Sequence, residues 1–577
     1  MAAETGSTGT SSTGTSTTGT GTAAPPTATK PTDVGLRREM GLIGATWASE
    51  TSIIGSGWLF GAWLAAAAAG TAALLGWVIA GVAIVILALV HAELGAMYPV
   101  AGGTARFPHF AFGSVAGISF GFFSWVQAVT VAPIECFAVM QYASYYWPSV
   151  YNTTTGVTTG LGFAMTAVLL ALFTALNFFA MRLFSKVNSG ITWWKVAIPV
   201  FAIIVLFTQF KASNFGSHGG FMPYGIKALF GAIPSAGIVF AYLGFEQADQ
   251  LAGEIKNPQR NLPRAIISAV LIGTLIYVLL QVVYIGALTP GALAHGWAAT
   301  GTDKGLESGP FAFVAGAVAL GWLATLLRID AFISPFGTGL IYVTSTSRVS
   351  YGLARNRYYP QIFAKVDKRG IPWVSLIFAF LFGLLFLLPF PSWKSLVGLV
   401  TSASVLMYAG APLSLGAFRR QVPDANRPYR LPAAVVMAPV AFIIANLIIY
   451  WSGFEVLWKL GIVLVIGYVL IGISMAFDPK RPPLDWKSAT WLPVYLIGMG
   501  IISWQGQYSG ASSSDKTPLP PTNTNNLPFW WDMLVVAGFS LAIFFWAMAT
   551  RLPRQEMLDL VNRQAGEGDE LPEAPRH

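Results

Sequence analysis

Apolar residues run along this chain in long blocks divided by short polar connections. Fourteen blocks approach the length that crosses a bilayer: 41–69, 71–97, 113–147, 159–180, 188–209, 228–252, 264–288, 309–346, 373–390, 394–417, 434–453, 455–477, 489–506 and 529–550. About 20 apolar residues in a helix span the hydrocarbon core, so the pattern predicts an all-α integral membrane protein of about 14 transmembrane helices. The blocks at 113–147 and 309–346 exceed that length and predict helices that tilt or project beyond the bilayer. Residues 1–35 are mostly Thr, Ser, Gly, Ala and Pro without an apolar run, which predicts a disordered tail and not a signal peptide. Residues 551–577 are charged and predict a second tail, with one short helix over 555–564.

The first block carries an interruption. Gly55-Ser56-Gly57 falls near its middle, where two glycines flanking a serine make a helix easy to unwind. Backbone groups freed at that depth are tolerated only where they meet a cavity, water or a ligand. The sixth block, from Gly231 to Glu254, carries Pro234, Gly237 and Gly244, and Leu243-Gly244-Phe245 is its expected break. Blocks one and six are matching members of a five-plus-five repeat. Interrupted segments at matching places in two halves point to the binding site of a transporter; close packing of helices through glycine is the alternative.

Backbone geometry then sets the chemistry. A half-helix beginning at Ser56, Gly57 and Trp58 aims unpaired N–H groups and a positive dipole end at an anion, with Ile54 and Gly55 completing the turn. Carbonyls freed around Phe240, Ala241, Leu243 and Gly244 suit an ammonium group. An α-amino acid carries both groups.

Composition agrees with a membrane protein: 54% of residues are hydrophobic and 10% charged, against about 25% charged in soluble proteins. A net charge of +9 raises the question of nucleic acid, and the distribution of charge argues against it. With the N-terminus inside, 24 Lys and Arg fall in inner segments and only Lys211, Lys227, Lys304, Lys394 and Lys516 in outer loops. That bias predicts both termini in the cytoplasm of a multi-pass protein of the cell membrane. Cys136 is the single cysteine, so an intrachain disulfide and a cysteine-built metal centre are excluded. Neither a cofactor nor a metal is expected.

Four stretches resemble the amino acid–polyamine–organocation permeases. They are IIGSGWLF at 53–60, HAELGAMYPVAGG at 91–103, FAYLGFEQADQLAGEIKNPQRNLPRAI at 240–266 and TSTSRVSYGLARNRYYP at 344–360. Their order and spacing match over about the first 420 residues, and within the family the chain is most similar to bacterial aspartate–proton symporters. The resemblance implies a LeuT-like core of ten helices in two inverted repeats over 36–420, with helices 1 and 6 broken, and four additional helices over 421–550. The family commonly has twelve spans, so two are additional to that pattern. It implies proton- or sodium-coupled uptake or exchange of amino acids, with a small amino acid and a proton as partners in a lipid bilayer; oligomeric state is left open.

Ionisable residues inside the membrane cost about 2.5–3.5 kcal/mol each on insertion scales, so each needs a reason. In this family a lysine at the place of Lys195, in the fifth helix, resembles a proton site that replaces a sodium ion against the first and eighth helices; snorkelling to an interface is the alternative. Glu246 follows the sixth-block break and is a candidate substrate or structural group. Glu50, Glu135, Asp249, Asp330 and Ser334 are candidates for the pathway or for coupling. His91, Glu93, Glu254, Lys256 and Arg260, near cytoplasmic helix ends, read as structural or gating groups. Arg328 and Asp330 lie two residues apart, about 200° around a helix, so the eighth span is expected to be surrounded by protein, with Glu135 as a partner for one of them. Arg328 is the candidate for gripping the second carboxylate of an acidic substrate such as aspartate. An exchanger of amino acids or polyamines, a non-transporting amino-acid sensor and a potassium transporter of related fold are the competing readings; an enzyme is not expected.

Overall fold

The computed structural model describes residue 38 and residues 40–100, 102–179, 181–389, 391–510 and 522–565. The expected N-terminal tail, the end of the C-terminal tail and Lys516 lie outside the described residues. The first half of the chain folds as α1 (Leu42–Ile53), α2 (Ser56–Ala69), α3 (Ala73–Met97), α4 (Gly103–Phe112), α5 (Ser114–Ala143), α6 (Gly160–Phe179) and α7 (Met181–Phe207). A short antiparallel hairpin of β1 (Tyr151–Asn152) and β2 (Val157–Thr158) joins α5 to α6. Then come α8 (Gly225–Ser235), α9 (Ile238–Tyr242), α10 (Gln247–Gln250), α11 (Pro258–Ala287), α12 (Trp297–Thr300), α13 (Lys304–Glu307), α14 (Pro310–Ala317) and α15 (Gly321–Arg355). The chain continues as α16 (Trp373–Leu387), α17 (Trp393–Gln421), α18 (Ala434–Trp451), α19 (Phe454–Ala476), α20 (Trp491–Gln505), α21 (Trp531–Thr550) and α22 (Arg554–Ala565).

Among the described residues, ten helical stretches are long and apolar enough to cross a membrane. The difference from the fourteen blocks of the sequence has a physical origin. The first block is cut into α1 and α2, and α2 runs on into α3 through a short 3-10 turn. The sixth block is cut into α8, α9 and α10, while α16 and α20 have 15 residues each. The eighth block also needs correction. It starts with a separate helix, α14, and the long helix α15 begins only at Gly321 and runs to Arg355.

Burial sorts the helices into posts and walls. Every residue of α5 is buried, and α17 is nearly as enclosed. By contrast α6, α7, α19 and α21 turn bare apolar residues outward, among them Val168 at 71% and Val465 at 63% exposure. Apolar faces of that extent mark contact with something other than water, here the lipid that the sequence pattern requires. The expectation that the eighth span is fully surrounded by protein fails for its first half, where Trp322 and Ile329 are exposed. The α1–α2 break is set against the α5 post and is packed around by α7, α11, α15 and α17.

Candidate functional site

The two interrupted helices meet. After Ile53 the backbone leaves the helix at Ile54 (ψ 79°), and Gly55 (φ −115°, ψ −143°) turns it into α2 at Ser56. The sixth block breaks twice. Gly237 (φ +82°) separates α8 from α9, and Gly244 (φ +125°) lies in the turn from Leu243 to Glu246. A Cβ on Gly57 would stand 2.7 Å from Ala241 Cα, and one on Gly244 would stand 2.6 Å from Ser52 Cβ and 2.8 Å from Ile53 N. Each broken helix thus presents a glycine to the backbone of the other, an approach that no larger residue permits.

Side chains from five helices hold the ends of α1 and α2 at the break. Lys195 Nζ, wholly buried, donates to Thr51 O at 2.5 Å and to Thr338 Oγ1 at 2.7 Å. Thr338 in turn donates to Thr51 O at 2.8 Å. Tyr277 donates to Ile53 O at 2.6 Å. On the other side of the break, Glu135 accepts from Ser56 N at 2.8 Å and from Ser56 Oγ at 2.9 Å, and Trp393 Nε1 donates to Ser56 Oγ at 2.8 Å. The first turn of α2 therefore already holds a carboxylate, as its positive end favours. Gly55 makes this possible: a Cβ there would come within 2.7 Å of Thr338 Oγ1 and 2.8 Å of Glu135 Oε1.

The structure brings Ile54, Gly55, Ser56, Gly57, Trp58, Phe240, Ala241, Leu243, Gly244, Glu135 and Lys195 to one region. Trp58 and Phe240 are buried there, and Trp393 packs on Phe240 at 5.4 Å. The carbonyl of Phe240 is spent on Leu243 N at 3.1 Å. Glu246 is held by five donors: Gly244 N (2.9 Å), Gln127 (3.1 Å), Gln247 (3.2 Å), Tyr342 (3.2 Å) and Tyr408 (2.5 Å). That set ties the second break of the sixth block to α5, α15 and α17. Glu50 is fully buried and neither of its carboxyl oxygens has a hydrogen-bond partner. Asp249 Oδ2 accepts from His91 Nδ1 at 2.9 Å, away from the α1–α2 break.

Two expectations for the eighth span are corrected. Glu135 partners neither Arg328 nor Asp330, because it is committed to Ser56. Asp330 is held instead by Trp194 Nε1 at 2.8 Å and by Ser334 Oγ at 2.9 Å. Ser334 spends its hydroxyl on that bond, and α15 continues through Pro335 without a break. Arg328 lies over the ring of Tyr145 at 3.7 Å. Ten residues of helix separate it from Thr338, about 15 Å along the axis, so it is not brought to the α1–α2 break. Thr338, Tyr277, Trp393, Gln127, Tyr342 and Tyr408 were not anticipated as site residues. Asp330, Ser334, Thr338, Tyr342, Thr346 and Ser350 recur every fourth residue, a polar row that winds slowly around an apolar helix and that sequence periodicity displays.

The protein-family model described as amino acid permease matches residues 40–471. The chain is 36% identical over 539 residues to the glutamate/serine transporter AimA of Bacillus subtilis (strain 168), covering 91% of this chain and 96% of that protein. It is 38% identical over 508 residues to the aspartate-proton symporter of the same organism, covering 87% of this chain and 94% of that protein. Similarity to the aromatic amino acid transport protein AroP of Escherichia coli (strain K12) is 28% over 401 residues, with 66% and 81% covered. With the family model spanning both broken helices and relatives alike over nearly their whole length, the chain belongs to the amino acid permease family.

Proposed function

We propose that the protein is a proton-coupled importer of an acidic amino acid, aspartate above all, in the cell membrane with both termini cytoplasmic. Its core over 36–420 is LeuT-like, two inverted repeats of five helices, followed by four additional helices over 421–550 in a total of about fourteen. The observation that carries the reading is the pairing of two ionisable groups with one break: Lys195 on the carbonyl end of α1 and Glu135 on the N–H end of α2. The functions that the two Bacillus relatives are named for, glutamate/serine transport and aspartate–proton symport, support acidic cargo and proton coupling.

Ile54, Gly55, Ser56, Gly57 and Trp58 receive the α-carboxylate, and Ala241, Leu243 and Gly244 face the ammonium group, with Phe240 contributing its ring to the wall. Glu135 competes with the substrate carboxylate for the N-terminus of α2. Lys195 carries the coupling proton. Protonated, it donates to Thr51 and Thr338 and links α7 to α1 and α15; deprotonated, it has fewer hydrogens to offer and weakens that link. Glu50, with its unpartnered oxygens one residue before Thr51, is a second proton-holding group near Lys195. The test follows protons and substrate together. Aspartate added to proteoliposomes with an imposed pH gradient, acid outside, should enter with protons, read as acidification of the lumen alongside uptake of label, in the absence of sodium. Binding without uptake of either would favour a sensor, and uptake only against preloaded amino acid would favour an exchanger.

A further inference from the structure

A second charged feature lies apart from the break. The β1–β2 hairpin, α13 and the first half of α15 line a half-open cavity of about 560 Å³, within the 300–1,000 Å³ usual for small-molecule sites. Arg328 and Lys304 both line it. Arg328 is half-buried, its guanidinium stacked on Tyr145, and its Nε is buried with no hydrogen-bond partner. Lys304 is exposed and forms no ion pair with a described residue.

The acidic groups nearby are already committed. Asp303 accepts from Gly305 N and Leu306 N, each at 2.9 Å, and caps α13. Glu307 is buried and takes Tyr151 at 3.2 Å and Lys394 at 3.4 Å. Of the residues that line the cavity, the charged ones are both cations, Arg328 and Lys304. A guanidinium covered on one face by an aromatic ring keeps its edge for a carboxylate, which it can grip with two parallel hydrogen bonds. An unpartnered buried donor on such a group is costly unless a ligand takes it.

We propose that this cavity is a recruiting site for the side-chain carboxylate of acidic amino acids, outside the transport site, with Arg328 as the anchor and Lys304 as the steering charge. The proposal rests on the reading above that the cargo is acidic and that this end of the bundle faces outward. Charges lining a cleft raise the local concentration of an oppositely charged ligand and lose that effect in salt. The site accordingly favours aspartate or glutamate over serine before either reaches the break.

The test measures initial uptake of aspartate and of serine by the full chain in phosphatidylcholine proteoliposomes, for Lys304→Gln, Arg328→Gln and Arg328→Lys at low and high salt. The expected result is an aspartate KM raised about tenfold at low salt in Arg328→Gln, a smaller rise in Lys304→Gln, and partial rescue in Arg328→Lys. The maximal rate and the serine KM should hold, and the difference should shrink in high salt. Equal shifts for aspartate and serine, or no shift for aspartate, would overturn the proposal. Should Arg328→Gln fail to fold, exposed Lys304 decides the matter alone. An effect confined to vesicles containing anionic lipid would assign the cavity to a lipid headgroup and overturn it as well. A wild-type protein that moves serine but not aspartate removes the acidic-cargo reading, and the recruiting site with it.

Discussion

Glu135 and Ser56 make a two-point contact across the α1–α2 break: the carboxylate takes both the backbone N–H, at 2.8 Å, and the hydroxyl, at 2.9 Å. If a substrate carboxylate uses the same N-terminus, the two compete. Glu135→Gln replaces a charged acceptor by a neutral one, and bonds to charged groups are worth about 1.5–3 kcal/mol. Equilibrium binding of aspartate to the purified variant should tighten by about tenfold on that scale, while accumulation driven by a pH gradient falls. Unchanged or weaker binding would mean that Glu135 keeps Ser56 throughout and only shapes the break.

Lys195→Met keeps an unbranched side chain one atom shorter and removes the donors to Thr51 and Thr338. Uptake against a gradient should drop to the level of protein-free liposomes, while exchange of labelled for unlabelled substrate survives. Accumulation that still follows the proton gradient would take the coupling proton away from this lysine.

Gly57→Ala adds one methyl group 2.7 Å from Ala241 Cα and 2.9 Å from Ala241 Cβ. Because the obstacle is backbone, the two broken helices must move apart, and overpacking of this kind costs about 1–3 kcal/mol. Transport should fall about tenfold or more on that scale. Gly472→Ala in α19, where a Cβ would meet nothing within 4 Å, is the matched control and should transport normally. Equal activity of the two variants would contradict the contact between the breaks.

Glu93 is wholly buried at the end of α3 and pins the segment after α17. It accepts from Arg419 at 2.6 Å and Leu431 N at 2.7 Å and pairs with Arg427 at 3.1 Å. Removing one partner of a buried ion pair costs about 3–5 kcal/mol. Glu93→Gln should therefore lower the midpoint of thermal inactivation, with little change in substrate KM for the surviving protein. A KM change without loss of stability would place Glu93 in the transport pathway.

Much of the break was legible in the chain, and its partners were not. Gly55-Ser56-Gly57 and Gly244 announce themselves because glycine in an apolar run is a local signal, and Lys195 does so because a charge there is expensive. The second break at Gly237 was visible only as a residue among other helix-weakening ones, Pro234 being the last but one residue of α8. Trp393 reaches Ser56 across 337 positions of sequence, a proximity that no local pattern encodes. Arg328 was misread for a related reason. Its charge was evident, but its depth along α15 depends on where the helix starts, and the apolar block at 309–346 concealed the gap between α14 and α15. The four-residue polar stripe from Asp330 to Ser350 was available to periodicity and would have supplied Thr338 and Tyr342.

The most direct test of the account is accumulation of labelled aspartate by proteoliposomes of the full-length protein, acid outside, with sodium absent. Uptake should rise well above the equilibrium level, collapse with a protonophore, and vanish in Lys195→Met. Aspartate uptake that needs a sodium gradient or preloaded amino acid, or that never exceeds equilibration under a standing pH gradient, would contradict proton-coupled import.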